Sequence, residues 1–171
     1  PLSSQGALAK NANLGFYFNE TYTEFDSATD AIKHFDLSYI GLDMFVERGG
    51  NHQKKFILKP KSEDYSPFEL RHASSGIQTT APLVAMVNYY AQAFDFKLAQ
   101  KRSIIDLLFE KNLTMQYRPE MELADMPRYV HIHIEEPELS LDPTSQIQLL
   151  NELVRLAFYA KVDDRQIGLV L

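Results

Sequence analysis

Between Tyr129 and Leu171 the chain reads as an apolar strand, an acidic stop, a capped helix and a second apolar strand, an order that leaves few folds open. The strand Tyr129 to Glu135 delivers two adjacent carboxylates, Glu135 and Glu136, before Pro137 ends it. Asp142 suits the cap of the next helix and Pro143 its first turn. That helix should run to about Ala160, with Ile147, Leu150, Val154, Ala157 and Phe158 facing inward. Gln166 to Leu171 forms the following strand. A strand, a crossover helix and another strand make a parallel α/β unit, and its first strand is expected to be buried.

Upstream the punctuation is different. The first two dozen residues, rich in Ser, Asn, Gly and aromatics, read as irregular structure. Ser27 suits the cap of a helix from about Ala28 to Phe35, with Asp30 favourable in its first turn. A strand-like run from Tyr39 to Glu47, a Gly49-Gly50-Asn51 turn and a return strand from Lys55 to Lys59 suggest a hairpin, with Phe56 and Leu58 on one face. Ser66 to His72 reads as a further strand. From Thr79 the pattern turns helical, with Leu83, Val87, Tyr90, Ala91, Phe94 and Leu98 forming one stripe. Pro82 predicts that this helix starts near Thr79 or kinks there. A second helix spans Gln100 to Asn112, and Leu113 to Arg128, with Pro119 and Pro127, is a connector.

Bulk composition narrows the function classes. The chain has 171 residues, 45% of them hydrophobic and 23% charged, enough for one domain with a core. A formal charge of -6 argues against a surface that binds nucleic acid by charge alone. Lys54, Lys55, Lys59 and Lys61 form a local basic cluster, which a solvated hairpin explains. Without cysteine, disulfides, thiol catalysis and cysteine-ligated zinc are excluded, as befits a cytoplasmic protein. The richest apolar run, Ala81 to Phe94, contains Asn88 and Gln92, so no bilayer-spanning segment is expected. No leader is visible, and the start at Pro1 reads as a piece of something longer.

Two motifs carry a resemblance. Glu135-Glu136-Pro137-Glu138-Leu139-Ser140-Leu141-Asp142 resembles the Walker B motif and D-loop of the ABC-type ATPases. Upstream, Ala73-Ser74-Ser75-Gly76-Ile77-Gln78 resembles their signature, with Ala73 in place of its leucine. The Glu-Glu-Pro-Glu variant is similar to the OLD, RecF and SMC branch rather than to membrane transporters. The resemblance covers residues 39–171 and implies part of an α/β P-loop NTPase domain, with parallel core strands and a helical signature subdomain. Residues 1–38 stay unassigned and partly helical.

In that register the cofactors are ATP and Mg2+. Glu135, where most of the superfamily has Asp, would face the metal through a coordinated water, since magnesium keeps several of its waters. Glu136 would orient and polarise the attacking water. Ser74, Ser75, Gly76 and Gln78 would form an anion cradle that caps the nucleotide of the opposite subunit, and Asp142 is the D-loop aspartate. The resemblance also implies an ATP-dependent homodimer acting in DNA maintenance or anti-phage defence, with DNA contacted through other domains. No Gly-x-x-x-x-Gly-Lys-Ser/Thr loop occurs, Gly6 and Lys10 do not supply one, and the switch histidine is absent. The 171 residues alone are therefore expected not to hydrolyse ATP. Two other classes stay open: a non-catalytic regulatory or interaction domain, and a metal-dependent hydrolase built on His131 and His133.

Overall fold

A computed structural model describes residues 16–49, 53–112, 128–135, 141–159 and 161–171. The described residues are mixed α/β. Helix α1 spans Phe16–Ala31, followed by strands β1 His34–Leu37, β2 Leu42–Arg48, β3 Lys54–Pro60 and the short β4 Phe68–Glu69. Helices α2 (Ser75–Gln92) and α3 (Phe96–Glu110) come next, then β5 Tyr129–His133, α4 Pro143–Val154 and β6 Gln166–Val170.

The first four strands form an antiparallel sheet in the order β1-β2-β3-β4. Cross-strand pairs Phe35–Met44 and Met44–Leu58 stack one apolar row, because side chains two apart share a face. Phe35, Leu37, Met44 and Leu58 are fully buried on that face, and Phe56 packs beside them as the alternation predicts. The opposite face carries Asp36, Asp43, Lys59 and His34, whose ring stacks on Phe45. At the turn between β1 and β2, Gly41 sits at φ +69°, a conformation glycine adopts without steric cost.

Helix α2 is the centre of the molecule. Ala81, Val84, Ala85 and Val87 are buried with Phe25 of α1, the inner row of the sheet, and Leu149, Leu153 and Leu156. The alanines let neighbouring backbones approach closely. Strands β5 and β6 pair in parallel, Tyr129 opposite Gln166 and His133 opposite Val170, so the predicted strand–helix–strand unit is present. No helix among the described residues is long and apolar enough to cross a membrane.

Several expectations are corrected. The helix placed at Ala28 to Phe35 is α1, which already runs from Phe16, with Ser27 inside it rather than capping it. Phe25 and Ala28 are buried, and Lys54 ties Asp26 and Asp30 at 2.7 and 3.1 Å, tertiary contacts that local composition does not reveal. His34 to Leu37 is a strand. Ser66 to His72 yields only the two residues of β4 before a tight turn at Leu70–His72. Helix α2 begins at Ser75 with Pro82 inside it, and the stripe extended to Leu98 is broken by the join between α2 and α3, leaving Leu98 exposed.

The largest correction concerns α4. Of the residues expected inward, Ala157 is buried and Leu150 half-buried, but Ile147, Val154 and Phe158 are 62%, 38% and 50% exposed, and Leu149, Leu153 and Leu156 take the core side instead. The helix carries two apolar stripes and periodicity cannot choose between them. A π-type turn at Arg155–Tyr159 then shifts the phase, which brings Ala157 inward and turns Phe158 out. Strand β5 is likewise not buried on both faces. Ile132 and Ile134 pack on the core, but Tyr129, His131, His133 and Glu135 lie exposed, since no layer of the described residues covers that side. Among the described residues the sheet of parallel core strands is thus a single pair, smaller than the antiparallel sheet.

Candidate nucleotide site

The Ser-Ser-Gly segment sits at the start of α2. Ser74 is its N-cap, in extended conformation, with its Oγ accepting from the Ile77 amide at 3.5 Å. Ser75 and Gly76 follow as the first two helical residues, whose amides an α-helix leaves without an internal partner. Ser74 and Ser75 are exposed, while Gly76 is buried. The Gln78 side chain folds back, its Nε2 donating to the carbonyls of Ala73 at 2.8 Å and Arg71 at 3.1 Å. Gln78 therefore braces the approach to the helix, and Arg71 is itself held by Glu69 at 2.8 Å.

Beneath that turn lies a polar chain that sequence reasoning missed. The Tyr39 hydroxyl donates to Thr80 Oγ1 at 2.9 Å, and Thr80 Oγ1 donates to the Gly76 carbonyl at 2.9 Å. Thr80 is fully buried and Tyr39 nearly so. Burial pushes the Tyr39 phenol up to about 12, with the Thr80 hydrogen bond opposing and the Glu152 charge adding to the rise. Nothing in the sequence marks this pair: a tyrosine after a strand and a threonine in a helix are ordinary.

The acidic segment ends β5. Glu135 is exposed just beyond the strand's carboxyl end and has no hydrogen bond or ion pair among the described residues. Glu136, the candidate base, lies outside the described residues, as do residues 137–140. Asp142 caps α4 as the sequence predicts. Its Oδ1 accepts from the Thr144 and Ser145 amides at 3.0 and 3.1 Å, and its Oδ2 from the Ser145 hydroxyl at 2.5 Å.

The Ser145 hydroxyl, then the Ser145 amide, hold the Asp142 carboxyl below the usual carboxylate range. A lowered folded pKa means the cap contributes fully above the unfolded-state value and is lost as pH falls through the folded value. Asp142→Ala is accordingly expected to speed amide exchange at Thr144 and Ser145 at neutral pH and to make no difference in strong acid. An equal gap between the two proteins at both pH values would contradict that assignment.

Ile77, Ile134 and Leu141, the apolar neighbours of the serine turn, the acidic segment and the α4 cap, all pack on one core cluster. That shared core fixes the three segments in a single body without making them one cleft. The fit to the implied cofactors is partial. Glu135 is an exposed carboxylate of the kind a hydrated magnesium ion accepts, and the first amides of α2 suit a phosphate oxygen. The chain contributes no phosphate loop to hold the rest of a nucleotide.

His131 and His133 lie side by side on the open face of β5, ring centroids 4.3 Å apart. Among the described residues, however, no three His, Cys, Asp or Glu side chains form a group able to hold a metal ion, so Glu135 does not complete a site with them. Across from His131, Gly168 leaves space that the Tyr129 ring fills: a Cβ there would lie 2.6 Å from the Tyr129 hydroxyl.

Of the four hairpin lysines, Lys55 is exposed and the other three are engaged. Lys54 pairs with Asp26 and Asp30, Lys61 with Asp36 at 2.8 Å, and Lys59 lies 4.3 Å from the centre of the Phe45 ring. No protein-family model, curated protein or solved structure matches the chain.

Proposed function

We propose that this chain is the signature and Walker B portion of an ABC-type ATPase similar to the OLD, RecF and SMC branch, working as an ATP-dependent homodimer. The observation that carries the reading is Glu135, exposed and without a partner among the described residues, at the carboxyl end of a parallel strand that leads to an aspartate-capped helix. In open parallel sheets, ligands bind outside the carboxyl ends of the strands. The second support is the exposed Ser74-Ser75 turn on a capped helix anchored to the same core.

Bound magnesium would neutralise charge on the transferring phosphoryl group. The chain's own part is to hold that ion's water through Glu135, to orient the attacking water through Glu136, and to present the Ser74–Gly76 amides to the nucleotide of a second subunit. DNA maintenance or anti-phage defence, with DNA engaged by other domains, is the setting this branch suggests, in the cytoplasm.

The test is size-exclusion chromatography of the intact protein with and without ATP and magnesium. A shift from monomer to dimer that needs both is expected, while the 171 residues alone should stay monomeric and release no phosphate. An intact protein that remains monomeric at saturating ATP would sink the mechanism. If its full sequence also lacks a phosphate loop, the non-catalytic regulatory domain is the better description.

A further inference from the structure

We infer that Tyr39 is a positioning residue for the candidate signature turn, acting through Thr80 on the Gly76 carbonyl. The inference rests on reading Ser74–Gly76 as a signature turn, but its structural half stands without it. The chain of hydrogen bonds is buried along its length, at 2.9 Å for each link, and joins residues 41 positions apart. Buried polar groups of this kind specify one arrangement, because any shift leaves a hydroxyl without a partner.

The geometry gives Tyr39 two neighbours of interest. Its tight turn, Ser38–Ile40, packs against α4, and the Glu152 charge on that helix reaches the phenol. The same turn holds the first turn of α2 through Thr80. Tyr39 therefore stands between the helix that follows the acidic segment and the helix that begins with the serine turn. Thr80 accepts from the phenol and so has its own proton directed at Gly76 O, bonding back across one helical turn. The phenol's raised pKa keeps it a donor.

The experiment compares wild type, Tyr39→Phe and Thr80→Ser in two readouts. The first is amide exchange in this chain at Gln78, whose N–H bonds the Ser74 carbonyl and reports the first turn of α2. Tyr39→Phe should raise it about fivefold, the worth of one net hydrogen bond, while Thr80→Ser, which keeps the hydroxyl, should match wild type. The second is the ATP concentration needed for dimerisation of the intact protein, which Tyr39→Phe should raise severalfold while leaving nucleotide binding to the monomer unchanged.

Unchanged exchange at Gln78 in Tyr39→Phe overturns the proposal whatever the protein does with ATP. Raised exchange with an unaltered ATP requirement overturns the positioning role. A wild-type protein that never dimerises with ATP defeats the ATPase reading instead, and exchange alone then decides the link between Tyr39 and the turn.

Discussion

Glu136→Gln in the intact protein is expected to cut ATP turnover by roughly 10²–10⁴-fold while leaving an ATP-bound dimer that no longer falls apart. The amide has nearly the shape of the carboxylate, so packing and nucleotide binding should survive. What it loses is the capacity to polarise and accept a proton from the attacking water. Glu135→Gln should differ, because a metal-facing carboxylate contributes charge in the ground state: it should weaken magnesium-dependent ATP binding itself. Phosphate release and chromatography on the two variants separate these outcomes. If Glu136→Gln turns over ATP at the wild-type rate, Glu136 is not the base.

A second large effect is expected in stability, and it tests the phase of α4. Leu153 is fully buried among Leu149, Leu156 and the inner face of α2, so Leu153→Ala should cost about 2–5 kcal/mol through lost burial and a residual cavity. Ile147, 62% exposed, should change stability by no more than about 0.5 kcal/mol when replaced by Ala. Urea unfolding of both variants, at constant dependence on denaturant, provides the comparison. Equal losses would mean that Ile147 faces a packed layer and that the exposed stripe is covered in solution.

Leu153 and Ile147 also show where sequence reasoning stopped. The hairpin of β2 and β3, the start of α4 at Asp142 and the parallel strand at Gln166 were legible, since each is set by local chemistry: alternation, a cap and a short apolar run. The inward face of α4 was not, because Ile147-Leu150-Val154 and Leu149-Leu153-Leu156 have equally good spacing. Only packing against α2 chooses, and the π-type turn that re-phases the end leaves no trace in composition.

Helix α1 was hidden for a related reason: Phe25 and Ala28 are held by contacts with distant residues rather than by helix propensity. At the candidate site, Asp142 was legible as the cap of α4, but only Ser74 stands before α2: the helix begins at Ser75 rather than near Thr79, so Ser75 and Gly76 lie within its first turn. Tyr39 was out of reach, because its partner is 41 residues away.

Pro82 has a mechanical side. Lacking an N–H, it cannot bond the Gln78 carbonyl, so the rod that leaves the serine turn is one rung short near its tip. The leading segment is then only loosely braced by the backbone ladder, and side chains take over as guy-lines: Gln78 on the loop before it, Thr80 and Tyr39 beneath. If the proposed dimer forms, that compliance would lie where the second subunit presses, set by a few polar atoms that can be retuned without rebuilding the helix.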